Sequence, residues 1–296
     1  MDPTSPWTVA RAPGVESAVL HRAAENMVSE SAVRDRAARA RTRPGRLAAC
    51  DRWLEVREAE LLRDAGHGSS PVVDVGFGGS PVTTLELAAR VWAIAPDCGV
   101  VGYEADAGRA EAARSASRGT ALRFLRGGFQ EVARAAPPAR VIRVMNVLRS
   151  YPASESAPVH RLLGGALVEG GLLMEGTSDT DGHVLTAWLK RRRGDSLDTE
   201  GLLVFTDFAR GFGPWLFRDF LPKDSRRAVV DGSWLRAWFE QWERCWSEVR
   251  VSGTRSAAEL FRLSLSGLSS ERGDIDPCSD LGNGFALWRC ASCSGH

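Results

Sequence analysis

From Pro71 onward, short apolar runs alternate with longer stretches whose apolar positions recur at helical spacing. Val72–Gly76, Val100–Glu104, Ala121–Leu125, Arg140–Met145 and Leu172–Gly176 have strand length. Val82–Ile94, Ala107–Ala116, Phe129–Ala135 and Pro158–Val168 between them have the helical period. Such alternation predicts an α/β fold with a mostly parallel sheet, right-handed crossovers and helices on both faces. After Gly176 the alternation lapses. His183–Lys190 and Leu202–Phe205 read as two further strands, separated by a charged loop from Arg191 to Glu200.

The flanks have a different character. Residues 1–30 have little pattern and are expected to be a loose arm, and residues 31–65 read as a helical cap. Arg34, Arg36, Arg39, Arg41, Arg43 and Arg46 make its first part basic, and Pro44-Gly45 breaks it. Leu47–Leu62 places Leu47, Leu54 and Leu61 at seven-residue steps, with Cys50 and Trp53 near the same face. At the other end, Gly211–Pro222 is aromatic and punctuated by Pro and Gly. Ser233–Val249 reads as a helix with Trp234, Trp238 and Trp242 spaced by four. Residues 268–284 are Ser/Gly/Asp-rich and read as a loop, and Phe285–Arg289 as a last edge strand. Three parts are therefore expected: an arm and cap over 1–65, a core over 66–208, and an aromatic helical extension with a tail over 209–296.

Composition narrows the function. With 44% hydrophobic and 25% charged residues over 296 positions, the chain is an ordinary globular one. A formal net charge of +1 argues against a nucleic-acid partner, which usually demands a basic excess. The basic stretch before Arg46 is read as a solvated helical face. MDPTSPWTVA has no secretory pattern, and no apolar run is long enough for a bilayer. Six scattered cysteines fit free thiols in a reducing compartment, so a cytoplasmic location is expected. Cys290-x-x-Cys293 with His296 and Cys278 has a spacing unlike a strong zinc site, and no metal is expected.

The sharpest chemical signal is Val72-Val73-Asp74-Val75-Gly76-Phe77-Gly78-Gly79-Ser80, a buried strand followed by a glycine turn and a helix. Glycines there let a ligand lie against the backbone, and helix N-terminal amides then face it. Glu104 ends the second strand, where a carboxylate can accept hydrogen bonds from both ribose hydroxyls of a nucleoside. A dinucleotide fingerprint needs a third glycine. Here Gly76-x-Gly78 is followed by Gly79, Ser80 and Pro81. Read alone, the turn also fits an α/β protein that binds nothing.

The Asp-x-Gly-x-Gly form of Asp74–Gly78 resembles the first motif of class I S-adenosylmethionine-dependent methyltransferases. Val141–Tyr151, with Asn146 at the strand exit, looks like the corresponding stretch in glutamate methyltransferases of chemotaxis receptors. Gly170–Thr177 resembles the family's fifth strand. The wider set, with Phe212–Pro222, looks like an actinobacterial group of methyltransferase-like proteins without an assigned substrate. The resemblance covers about residues 71–177. It implies a Rossmann-like seven-stranded sheet, with S-adenosylmethionine held by Asp74, Gly76, Phe77, Gly78, Gly79, Glu104, Gly128, Phe129, Asn146 and Val147. Phe129 then stacks on the adenine beside Gln130, and Asn146 orients the sulfonium end. The alternatives are that Phe129 is a core anchor and that Asn146 only caps a loop. Two departures stand out: the helix between the fifth and sixth strands is short or missing, and there is no Asn-Pro-Pro-Tyr signature.

Methyl transfer needs alignment and exclusion of water more than covalent help. No catalytic residue is assigned. Glu175, Asp179, Asp181 and His183 are the candidate bases near the strand ends, each readable as a solvated loop residue. The expected acceptor is a small molecule or else a protein side chain, with no membrane partner. A methyltransferase-like cofactor binder without catalysis and an NAD-linked oxidoreductase are the other readings.

Overall fold

β1 (Val72–Val75) is buried at every residue, as a central parallel strand must be. It pairs in parallel with β2 (Val100–Glu104) on one side and β4 (Ala139–Met145) on the other. β3 (Leu122–Arg126) lies beyond β2, and β5 (Leu167–Ser178) beyond β4. The structure, a computed structural model, describes residues 42–251, 253, 255–268 and 273–290. The loose arm and the arginines before Thr42 lie outside the described residues.

The parallel sheet continues into four antiparallel strands, β6 (Val184–Arg193), β7 (Ser196–Thr206), β8 (Gly273–Asp276) and β9 (Phe285–Cys290). The order is β3-β2-β1-β4-β5-β6-β7-β9-β8, nine strands where seven were expected. Two of the differences have a clear physical source. The segment Arg191–Glu200 is not a loop: β6 and β7 run into it and leave Gly194-Asp195 as the turn. Its charges are tolerated because Arg191 binds the carboxylates of both Glu200 and Glu58, at 2.8–2.9 Å. Similarly, β8 lies within the expected 268–284 loop. Pairing with β9 outweighs its weak strand composition, so β9 is an inner strand and β8 is the edge.

β5 also begins earlier than expected, and the Gly170-Gly171 pair falls inside it, at a register shift against β4. The missing helix after β5 is confirmed. Asp179 Oδ1 accepts the amides of Gly182 and His183 at 2.7 and 2.8 Å, closing a tight hairpin into β6.

Helices cover both faces. On one face, α1 (Ala48–Arg57), α2 (Ala59–Arg63) and α3 (Val82–Ile94) pack Leu54, Leu62, Leu87 and Val91 against Val72, Val141 and Leu172. The expected Leu47–Leu62 helix is thus two helices that meet at Glu58. α4 (Ala107–Arg114) starts with Asp106 capping the amide of Arg109. On the other face, α5 (Phe129–Ala133) and α6 (Ser156–Gly164) cover β1, β2, β4 and β5. α7 (Lys223–Ala228), α8 (Trp234–Val251) and α9 (Ala257–Ser266) follow. The last two bury Trp238, Trp242 and Phe261 against Val184, Trp188, Val204 and Trp288 of the antiparallel strands. No described helix is long and apolar enough to cross a membrane.

Candidate functional site

The carboxyl ends of β1, β2, β4 and β5 lie side by side, the place where open α/β sheets bind ligands. The turn after β1 carries Gly76 and Gly78 at φ +75° and +77°, a region costly for any residue with a Cβ. A Cβ on Gly76 would also come within 2.5 Å of Val147 Cγ2, so the β4 exit packs directly on the turn. Phe77 does not face out. Its ring is buried edge-on to Phe124 at 5.3 Å.

Glu104 stands beside this turn and is 5% exposed. One carboxylate oxygen accepts the Gly78 amide at 2.8 Å and the other the Asp106 amide at 3.1 Å. A carboxylate has about four acceptor positions. Two are therefore left for hydroxyls of a ligand.

Asp74, by contrast, is turned into the core and is 3% exposed. Its oxygens accept Arg143 Nε and Nη2, both at 2.9 Å, and Thr84 Oγ1 at 2.6 Å. Arg143, fully buried on β4, also binds Asp51 of α1 and the Thr83 carbonyl. Two carboxylates thus share one guanidinium that cannot deprotonate. Burial pushes the Asp51 carboxyl above the ordinary aspartate range, and Arg143 only partly offsets it. Asp74 fixes where β1 meets α3 and α1, and so fixes the turn that follows.

At the β4 exit, Asn146 adopts φ +64°, a left-handed conformation that Asn tolerates. Its amide oxygen accepts the Ser178 amide and its nitrogen donates to Ser178 Oγ, both at 3.0 Å. Asn146 therefore ties the β4 exit to the β5 exit. Gly128 caps α5, and its amide donates to Glu131. Phe129 is 4% exposed and packs in the core, 5.5 Å from the Tyr151 ring.

Three of the four candidate bases, Asp179, Asp181 and His183, share the β5–β6 hairpin, and Glu175 lies apart from them. Glu175 points down from β5 toward His160 of α6, with Nε2–Oε2 at 3.6 Å. Burial raises its pKa, and His160 draws it partly back. Asp179 holds the hairpin amides and meets Arg210 at 3.3 Å. Asp181 pairs with Arg43. His183 Nδ1 lies 2.7 Å from Asp207, whose carboxylate raises the imidazole pKa. Among the described residues, no group of three or more His, Cys, Asp or Glu side chains could hold a metal. Cys293 and His296 lie outside the described residues.

Three residues at or below the strand ends were not anticipated. Arg143 had a signal: one charged residue in the apolar strand Val141–Met145 must find partners. Arg140 had the same signal. It donates to the carbonyls of Leu61, Leu62, Asp64, Gly68 and Ser70 at the amino end of the sheet. Arg46 had none, because only the fold carries it over the strand exits.

No protein-family model matches the chain, and no curated protein does. Solved structures similar to part of it include one described as a pericyclic reaction enzyme, at 15% identity and TM-score 0.33. That match covers 40% of this chain and 30% of the enzyme, so the chain spans less than a third of it. A second is an S-adenosylmethionine-dependent methyltransferase from Mesorhizobium loti, at 17% identity and TM-score 0.31 over 42% of this chain and 53% of that one. A third is the plantazolicin methyltransferase BamL, solved with a triazolic desmethylPZN analog and SAH. It has 12% identity and TM-score 0.35 over 55% of this chain and 51% of that one. Identities and TM-scores this low attach no activity to the chain.

Proposed function

We propose that the chain is an S-adenosylmethionine-dependent methyltransferase acting on a small molecule in the cytoplasm. The observation that carries this reading is Glu104, fixed against the Gly78 amide at the end of the strand next to the glycine turn. The fit to a nucleoside is chemical: the carboxylate keeps acceptor positions for a ribose diol beside a glycine turn on which Val147 packs and Thr42 bonds. Gly76, Gly78 and Gly79 would lie along the body of the cofactor, and Asn146 and Val147 would border its sulfonium end. Gly128 would border the adenine side, while the Phe129 ring stays in the core beneath it. Asp74 acts as a positioning residue through Arg143 and Thr84. Bound here, the cofactor supplies an electrophilic methyl group.

The chain's own residues align and desolvate the partners. The reading assigns no general base: Glu175 is buried and Asp179 and Asp181 are held in ion pairs, while His183, paired through Nδ1 with Asp207, keeps its other ring nitrogen for a proton. Calorimetry with S-adenosylhomocysteine and with NAD tests the reading. Sub-millimolar binding of the first and none of the second is expected; the reverse would end it. Glu104→Gln is expected to weaken S-adenosylhomocysteine about tenfold or more, since a bond to a charged group contributes roughly 1.5–3 kcal/mol. An unchanged affinity would remove Glu104 from the site.

A further inference from the structure

The hairpin between β5 and β6 carries a side-chain pair that the proposed reaction leaves idle. His183 Nδ1 lies 2.7 Å from Asp207 Oδ2. The backbone fixes both residues. The His183 amide donates to Asp179 Oδ1 at 2.8 Å, and the Asp207 amide donates to the His183 carbonyl at 3.1 Å. The other Asp207 oxygen accepts the Ala209 amide at 2.9 Å. The main chain thus already joins the start of β6 to the end of β7, and an exposed ion pair adds little to that. Phe208, next to Asp207, holds φ +69°, which a bulky residue takes only where its surroundings impose it. The placing of Asp207 therefore carries strain that closing the sheet does not require.

The pair has the arrangement of a base. A carboxylate on Nδ1 holds that nitrogen's proton in the neutral ring, so the lone pair sits on Nε2. Nε2 has no partner among the described residues, and the side chain is 37% exposed. The bond to Asp207 raises the imidazole pKa, burial opposes it, and the charges of Asp207, Asp179 and Asp181 add to the rise. Asp179 and Asp181 are themselves held by Arg210 and Arg43. An imidazole that titrates near the working pH suits proton transfer.

The hairpin is tied to the glycine turn by the segment before α1. Thr42 Oγ1 donates to the Phe77 carbonyl at 2.9 Å, and the adjacent Arg43 pairs with Asp181. Gly182 lies against the same segment, where a Cβ would meet the Arg46 carbonyl oxygen at 2.7 Å. Arg46 Nε donates to Ser178 Oγ at 3.2 Å, and that hydroxyl also accepts from Asn146 at the β4 exit. His183 immediately precedes β6, two strands from β4, a span on the order of 10 Å. At the β4 exit, Val147 packs on Gly76. A small acceptor lying over the β5 exit spans that interval.

We infer that His183, oriented by Asp207, takes the proton from a methyl acceptor whose nucleophilic atom is a hydroxyl oxygen. The hydroxyl oxygen forms its bond to the methyl carbon as the carbon–sulfur bond breaks, and sulfur keeps that electron pair. The hydroxyl proton passes to His183 Nε2, and Asp207 stabilises the imidazolium until water removes the proton. A hydroxyl needs such a base, since a phenol with a pKa of about 10 is un-ionised at neutral pH. A carboxylate acceptor would not. Asp207 is a positioning residue in this scheme.

The inference rests on the cofactor reading above, and two measurements separate them. In ring nitrogen–proton correlation spectra of the intact chain, the His183 signals are those missing from His183→Gln. The neutral ring is expected to carry its proton on Nδ1, with a pKa that falls in Asp207→Asn; a proton on Nε2 overturns the base. Release of S-adenosylhomocysteine is then followed against pH with phenol and with the more acidic 4-nitrophenol as acceptors. The rate with phenol should fall as pH drops through the pKa measured for His183, and Asp207→Asn should move that limb to lower pH. His183→Gln should slow phenol about a hundredfold or more, and 4-nitrophenol above its own pKa less than about tenfold. An unmoved limb, or equal losses with both phenols, overturns the inference. If S-adenosylhomocysteine does not bind, the cofactor reading fails; if it binds and neither phenol is methylated, the hydroxyl inference alone fails. Circular dichroism of both variants confirms that they fold.

Discussion

The two halves of the sheet both have apolar cores but differ in what is buried within them. The parallel half, β3 to β5, buries charge. Arg143, Asp74 and Asp51 form a closed ionic cluster between β1, β4 and α1, and Glu175 faces His160 beneath β5. The antiparallel half, β6 to β8, buries rings. Trp242 stacks on Phe217 at 5.5 Å and 10°, and Trp238 on Trp288 at 4.8 Å and 22°. Ionic clusters demand fixed geometry and fail sharply when one member is lost. Apolar layers tolerate volume-conserving change. The half that must hold a glycine turn in one place uses the first, and the half that supports it uses the second.

The sharpest way to break this contrast is Arg143→Met. It leaves two buried carboxylates without a counter-charge and is expected to cost about 3–5 kcal/mol in urea unfolding. Adding Asp51→Asn and Asp74→Asn should recover much of that loss, because the penalty lies in the orphaned charges. A triple variant no more stable than the single one would show that the cluster is not the cause. In the aromatic half, Trp242→Phe keeps a ring but removes the indole N–H that donates to Ser264 at 2.9 Å. The expected loss is smaller, about 1–3 kcal/mol, with the affinity for S-adenosylhomocysteine unchanged. A fall in that affinity would join the two halves.

The smallest effect concerns Glu175. Its folded pKa is raised above the unfolded one, so the fold favours the protonated acid. Its contribution to stability is present below the ordinary glutamate pKa and is lost as pH rises through the raised value. Relative to wild type, Glu175→Gln should therefore gain stability over that window. Parallel melting curves for the two proteins from acid to neutral pH would overturn the assignment.

Much of the geometry of the candidate site was legible in the chain, because the turn and its carboxylate are local or nearly so. Gly76 and Gly78 take the positive φ that glycine permits, and Glu104 ends its strand beside them. Asn146 was legible as a strand exit, but its bond to Ser178 was not, since the register of β4 against β5 sets it. Asp74 shows the limit most clearly. Its motif suggested a ligand contact, while Arg143, 69 positions away, claims both of its oxygens.

Periodicity by itself determined the first five strands, the helices between them and the tryptophan face of α8, because each depends on residues close in sequence. The paired charges that let β6 and β7 extend, the edge strand β8 and the placing of Arg46 over Ser178 belong to tertiary structure alone. In each of those cases the stabilising partner is remote in sequence, and a charged or polar segment reads as a loop until its partner is in place. The glycine turn was therefore written locally, and what faces it across the strand exits was decided by the fold.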